Sequence, residues 1–488
     1  MGYVRGANRA EVQLLPPSLE DYVPANAPVR FLEAFVEGLD FKALGFNRTT
    51  PAATGRPLYH PADLLKLYLY GYLNRIRASR RLEAEAGRNL ELMWLLRGLR
   101  PDFKTIADFR KDNLAAFKPL FKQFNLLCRK LGLFGAELVA IDGSKFKALN
   151  SPQRHYTREQ LAELLARLDS RIDQYLKDLD DQDQAAQGVG SVPSSQELQQ
   201  KIEQLKKRQG RYQQLLGELD QTQQQELSLS DPESRMMKGR HAHLVGYNVQ
   251  AAVDAKHHLI VAQEVVQSAS DRGQLSGMAL AAQEQLGVES LGAVADKGYH
   301  EADQLEACQQ AGIQTFVPEQ GTTSGRGKNG TKVFPKSAFR YEAATDCYTC
   351  PAGQVLEPKA SSRSRGKPRT LYYNPAACQG CALKSQCTTG AARRIARRPN
   401  EAVVEEQARR LAAHPEKMGQ RRATVEHVFG NLRNWGHDRF LLKGLEKVRA
   451  EFSLSALTYN LHRVLQLVSL NQLLASVGVQ PTEQAVAA

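Results

Sequence analysis

Two aspartates and one glutamate are placed where carboxylate chemistry becomes available. Asp142 follows the apolar run Leu138-Val139-Ala140-Ile141 and precedes Gly143-Ser144-Lys145; Asp296 follows Ala293-Val294-Ala295 and precedes Lys297-Gly298-Tyr299. Both runs read as short buried strands ending in a carboxylate, with a glycine nearby that admits another group. Glu426 lies in the stretch 421–433, where Val425, Val428, Phe429 and Leu432 recur at i, i+3, i+4 and i+7 and so form the apolar face of a helix. Arg422, Glu426 and Arg433 fall within roughly 40° of one another on a different face. Taken alone, they are an ordinary Arg/Glu pair on a solvated helix. Beside two strand-end aspartates they form a constellation. Three converging carboxylates repel unless divalent cations sit between them, and oxygen-only ligands select Mg²⁺ or Mn²⁺. Two such ions suit phosphoryl transfer, one activating the attacking oxygen and the other stabilising the leaving oxygen.

These residues resemble those of the DDE transposases of bacterial insertion sequences, of the insertion-sequence-1182 type. Related enzymes carry a signature of Tyr, two residues, Arg, three residues, Glu, six residues and Lys. Arg422, Glu426 and Arg433 match its last three positions, with Arg in place of Lys, and Gly419 stands where the tyrosine would be. The resemblance implies an α/β RNase H-like catalytic core, a mixed sheet with flanking helices, in which Asp142, Asp296 and Glu426 bind two Mg²⁺ or Mn²⁺ ions. It implies binding to the terminal inverted repeats of a mobile element, cleavage of a DNA strand, and attack of the freed 3′-hydroxyl on target DNA. Arg422, Arg433 and Lys297 are then phosphate contacts, and the partner is double-stranded DNA. Two other functions use the same residues: a transposase-derived DNA-binding protein without catalysis, and a two-metal nuclease without strand transfer.

Charge points the same way. The chain of 488 residues carries 65 Lys and Arg against 52 Asp and Glu, a net +13, which favours an anionic partner. No apolar run approaches membrane-spanning length and no charged-then-apolar leader is present. The expectation is a cytoplasmic, nucleoid-associated protein with no membrane partner and no small-molecule substrate.

The elements that must position these carboxylates are interrupted twice. Residues 1–135 read as a helical DNA-binding domain, with a dense apolar surface from Leu64 to Tyr72 after His60-Pro61, and Thr105 with Asp108 as a capping box. Arg80 and Arg81 there are either backbone contacts with DNA or a solvated helix face. The resemblance, carried by Tyr70-Gly71-Tyr72 and Ser79-Arg80-Arg81-Leu82, favours DNA. The catalytic core is assigned to 136–150, 241–318 and 416–472. Within it, alternation from Val245 to Val253 predicts a strand, 259–266 a second, and Thr315-Phe316-Val317 a later one. Asp271 with Gln274 reads as a helix cap, which removes Asp271 from the catalytic carboxylates.

The first insertion, 151–240, predicts two helices opened by Thr157 with Gln160 and by Ser194 with Glu197, joined through 187–193 as an antiparallel hairpin. Such a hairpin either pairs with its counterpart in a homodimer or larger assembly on DNA, or is a passive insertion. The second, 319–415, is basic and Cys-rich: residues 321–398 hold 15 Lys and Arg against 3 Asp and Glu, nearly the whole net charge. Its stretches 321–332 and 359–370 read as mobile segments holding phosphate by charge. Cys347, Cys350, Cys378 and Cys381 have the paired spacing of a structural Zn²⁺ site, and Cys387 follows. Four of these five would be ligands; the alternative is a set of reduced thiols. Residues 473–488 read as a disordered tail.

Overall fold

The computed structural model describes residues 17–51, 57–185, 195–239, 242–319, 333–364 and 366–479. Six helices come first: α1 (Pro28–Glu37), α2 (Pro61–Leu73), α3 (Ser79–Ala86), α4 (Leu90–Leu95), α5 (Phe103–Asp112) and α6 (Phe117–Lys130). Pro61 opens α2, and the His60 ring accepts the Ala62 N–H at 3.2 Å. Every residue of α2 from Pro61 to Tyr72 is buried, so its apolar surface runs all the way round, as expected of a central helix. Its one buried lysine, Lys66, is held by Glu33 at 3.4 Å and by Glu37. The cap of α5 is Asp102 rather than Thr105. Its Oδ1 accepts the Lys104 and Thr105 N–H groups at 3.0 and 2.9 Å, and the helix starts earlier than the capping box predicted.

The main sheet is mixed. β1 (Leu138–Lys147) leads into the short β2 (His155–Thr157), which pairs with β3 (Glu226–Ser228) at the base of the hairpin α7 (Arg158–Ala185) and α8 (Ser195–Thr222). There follow β4 (Arg235–Lys238), β5 (His243–Asp254), β6 (Ile260–Val266), α9 (Leu275–Leu286), β7 (Leu291–Ala295), α10 (Ala302–Gln310) and β8 (Ile313–Phe316). β5 pairs antiparallel with β1 along one edge and with β4 and β6 along the other; β7 and β8 extend the sheet in parallel beyond β1. β1 does not stop at Asp142. Gly143 to Lys147 pair with Gly246 to Gln250 of β5, so Asp142 sits within a strand rather than at its end.

The capping box of α7 forms as its spacing predicts, Thr157 N donating to Gln160 Oε1 at 3.0 Å and Gln160 N to Thr157 Oγ1 at 3.2 Å. Leu168 and Ile172 of α7 meet Leu205 of α8, and Leu161 meets Leu215 and Leu219. The hairpin therefore closes its apolar seam on itself. The link 187–193 and Ser194 lie outside the described residues.

The second insertion is an antiparallel sheet ordered β13-β12-β11-β10-β9. Its strands are β9 (Arg340–Glu342), β10 (Cys347–Thr349), β11 (Val355–Ser364), β12 (Lys367–Tyr373) and β13 (Ile395–Arg397), with short helices α11 (Pro375–Gln379) and α12 (Lys384–Cys387) between the last two. The stretch 359–370, expected as a mobile loop, is largely the ribbon β11–β12. Its Ser, Arg and Lys side chains hide the strand pattern, and the backbone ladder supplies the order. Residues 320–332 lie outside the described residues. Lys367 of the ribbon donates to Glu301 at 3.0 Å and to Asp303, which anchors the unit on the segment that follows Asp296.

The chain ends in α13 (Glu401–Ala413), α14 (Glu416–Asn434), α15 (Leu445–Leu467) and α16 (Leu470–Ser476). α14 and α15 cover one face of the main sheet and α9 the other, while α2 and α6 pack on α15. One continuous core thus joins the N-terminal helices to the sheet. Burial on both faces explains why β5 is buried at its alternating polar positions, Asn248 and Gln250, as well as its apolar ones. Leu473 and Leu474 of α16 are buried, so the expected disordered tail cannot begin at residue 473. No helix among the described residues is long and apolar enough to cross a membrane.

Candidate active site

Strand alternation sends Asp142, Ser144 and Phe146 to one face of β1 and Gly143 and Lys145 to the other. α14 lies across the first face. Phe429 meets Phe146 with ring centroids 6.2 Å apart, Arg433 donates to the Ser144 hydroxyl at 2.5 Å, and Arg421 Nη2 lies 2.9 Å from Asp142 Oδ2. Burial pushes the Asp142 carboxyl up from 3.8 to about 6. Arg421 and the Gly143 N–H, 2.8 Å from Oδ1, pull against that rise, while Asp296 and Asp271 add to it.

Asp296 stands beside Asp142 because β1 and β7 run parallel with Ile141 paired to Ala295. Each aspartate is the next residue after that pair. Asp296 Oδ1 also accepts the Gly298 N–H at 2.7 Å, which turns the chain into Tyr299. Lys297, between them, is exposed.

Glu426 and Arg422 are exposed on α14. Asp271 is not a helix cap: α9 begins at Leu275 after Gln274, with no side-chain cap. Its Oδ1 instead accepts from Lys145 Nζ at 2.9 Å, Asn248 Nδ2 at 2.8 Å and Gln250 Nε2 at 2.8 Å. A Cβ at Gly143 would lie 2.3 Å from Gln250 Nε2 and 2.4 Å from Asp271 Oδ1, so only glycine permits this approach. Gln250 Oε1 accepts the Tyr299 hydroxyl at 2.5 Å. A polar chain therefore runs from Lys145, three residues past Asp142, through Asp271 and Gln250 to Tyr299, three residues past Asp296. Burial, with Asp271, Asp142 and Asp296 nearby, holds the Tyr299 hydroxyl well above its ordinary range.

The sequence reading does not single out Arg421, Asn248 or Gln250, and it takes Asp271 for a cap. The polar pair in β5 is the signal that would have found three of them: Asn and Gln alternating inside a strand covered on both faces must be hydrogen-bonded to something. Arg421 adjoins the signature position Arg422 but lies toward the sheet.

Arg80 stacks over the Phe103 ring, 4.1 Å from its centroid, and Arg80 and Arg81 are exposed on α3. Arg77 points inward instead, 3.4 Å from Glu451 of α15 and donating to the Gly436 carbonyl.

Residues 349–465 match the family described as "Transposase DDE domain", and residues 17–112 match the family described as "Transposase domain". Together the two matches support a DDE transposase. The first match contains Glu426 and α14; the second covers α3, which carries Arg80 and Arg81. No curated protein and no solved structure matches the transposase.

Asp142 and Asp296 offer the oxygen donors a hard divalent cation requires. As the side chains stand, no three His, Cys, Asp or Glu among the described residues are gathered closely enough to hold an ion. The positive charge facing Asp142 is the Arg421 guanidinium.

The raised pKa of Asp142 has a measurable consequence. Between about pH 4 and pH 6 the folded chain keeps a proton that the unfolded chain releases, so its stability falls as pH rises through that window. With chelator present, the stability of the parent protein relative to Asp142→Asn is expected to drop by about 3 kcal/mol from pH 4 to pH 7. Urea unfolding at both pH values measures it; a difference that stays flat would mean water reaches the carboxyl.

Proposed function

We propose that this transposase binds the terminal inverted repeats of an insertion sequence and catalyses Mg²⁺-dependent DNA cleavage and strand transfer. The observation that carries the proposal is that Asp142 and Asp296 each follow the Ile141/Ala295 pair of parallel strands, on the sheet that α14, the helix bearing Glu426, covers. The strand succession supports an RNase H-like core: β1, an antiparallel hairpin, a helix, then two parallel strands. Asp142, Asp296 and Glu426 would hold two Mg²⁺ or Mn²⁺ ions, with Arg421 yielding its place on Asp142.

Bound divalent cations supply activation of the attacking oxygen and stabilisation of the leaving one. The chain's own residues do the positioning. Lys297 stands next to Asp296, Arg422 is exposed on α14, and Arg433 reaches Ser144 of β1; all three would pair with phosphates flanking the scissile bond. Arg80 and Arg81 on α3 would meet the duplex backbone. The basic ribbon β11–β12, fixed on the segment after Asp296, would hold DNA near the same site by charge. Two copies would act together on DNA, with the projecting hairpin α7–α8 as the pairing element, in the cytoplasm at the nucleoid.

The test uses labelled duplexes carrying the DNA that flanks the gene, incubated with Mg²⁺ and a plasmid, beside the Asp296→Asn variant. Joining of labelled ends by the parent protein alone supports the proposal. Binding without cutting or joining, under Mn²⁺ as well, would leave a DNA-binding protein; cutting without joining would leave a nuclease.

A further inference from the structure

The Cys-rich unit is small for the order it shows. Its core consists of Phe339, Tyr348, Leu356, Tyr372 and Ile395, and a core of that size contributes little stability by itself. Units of this kind are stapled by disulfides or by metal, and all five cysteines here are free thiols.

Spacing alone would choose the pairs Cys347/Cys350 and Cys378/Cys381. The structure chooses differently. Cys350, Cys378, Cys381 and Cys387 line one cavity, walled on its apolar side by Phe339 and Leu356. Cys347 is not in its wall, and its thiol donates to the Thr345 carbonyl at 3.2 Å. The local geometry explains the exchange. Cys350 opens a tight turn in which Gly353 N donates to its carbonyl at 2.8 Å and its own N–H donates to Gln354 at 2.9 Å. Cys347 and Thr349 stand in β10 while Cys350 lies just past its end, so the two thiols of the first pair diverge. Cys378 lies in α11, Cys381 just beyond it, and Cys387 closes α12, which turns that helix back onto the cavity.

Arg393 adds an independent sign. It lines the same cavity, donates to the Cys387 carbonyl at 3.2 Å and to the Phe334 carbonyl at 3.0 Å, and its Nε is buried without a hydrogen-bond partner among the described residues. A buried N–H left without a partner is costly. A thiolate sulfur in the cavity would accept it, and the guanidinium would offset the excess negative charge of four thiolates around a dication.

We infer that Cys350, Cys378, Cys381 and Cys387 hold one structural Zn²⁺, with Cys347 left out. Binding draws the four sulfurs inward to tetrahedral geometry, and the thiol protons pass to solvent. The ion pins the turn after β10 to the helices before β13 and so closes the basic sheet that carries the β11–β12 ribbon.

Metal analysis of the full-length protein, purified without chelator, tests this directly. About one zinc per chain is expected for the parent and for Cys347→Ser, and less than about a tenth of that for Cys387→Ser. Zinc-free parent protein, or zinc lost from Cys347→Ser and kept by Cys387→Ser, would overturn the assignment. Should Cys387→Ser fail to fold, alkylation of the parent protein by iodoacetamide decides the matter without a variant. Zinc should protect Cys350, Cys378, Cys381 and Cys387 and leave Cys347 reactive; protection of Cys347 with alkylation of Cys387, or equal reactivity of all five, would sink the inference.

Discussion

Glu426→Gln is expected to lower strand joining by about a thousandfold or more while leaving binding to end-sequence duplexes within about twofold. The amide keeps the size and the helix but removes the charge that a metal ligand needs. The companion variant is Asp271→Asn, because Asp271, not Glu426, is the carboxylate whose charge reaches Asp142 and Tyr299. Its Oδ1 already serves three donors from β1 and β5. An asparagine there leaves Lys145 without its counter-ion and loosens the link between the two aspartate-bearing segments. We expect a smaller loss, about 10- to 100-fold, restored in part by raising the Mn²⁺ concentration. The reverse order, with Asp271→Asn inactive and Glu426→Gln near parental activity, would transfer the third ligand position to Asp271.

The second large effect is on stability. Glu451 is fully buried on α15 and accepts the Leu441 and Leu442 N–H groups at 3.0 Å. Burial pushes its carboxyl up, against the pull of Arg110 and Arg77. Arg110, itself buried, lies over the Tyr68 ring and donates to the Tyr72 hydroxyl at 3.4 Å. Glu451→Ala would leave two guanidiniums in apolar surroundings with no counter-charge and two backbone donors with no acceptor. The expected cost is about 3–5 kcal/mol, read as a lower urea midpoint. Glu451→Gln, which retains an acceptor, should fall between the two. A loss below about 1 kcal/mol would show that water already reaches the cluster.

Features decided by neighbours in the chain were legible. The capping box at Thr157 and Pro61 at the start of α2 rest on contacts within a few residues, and the strand before Asp296 shows as an unbroken apolar run. What failed depended on distant partners. The apolar run ends at Asp142, yet β5, about a hundred residues later, extends the strand through Gly143-Ser144-Lys145. Asp271 fits a cap by spacing, but Lys145, Asn248 and Gln250 offer it three donors, and one helix N-terminus does not compete with those. The Ser- and Arg-rich ribbon near residue 365 carries no strand periodicity because its order comes from a ladder. Cys387 lay outside the paired spacing, and only the fold of α11 and α12 brings it round to Cys350.

The packing of α2 and α6 on α15 also sets a timetable for the newly made chain. α6 ends at Lys130 and α15 begins at Leu445, so the ribosome must add more than three hundred residues before the first helices meet the surface that covers them. At ordinary synthesis rates that wait lasts roughly 15 to 60 s. During it the apolar side of α2 stays open to water and to chaperones. A fragment cut after residue 135 would remain in that exposed condition permanently, and a soluble DNA-binding piece should be sought by keeping α15 with the helices it shelters.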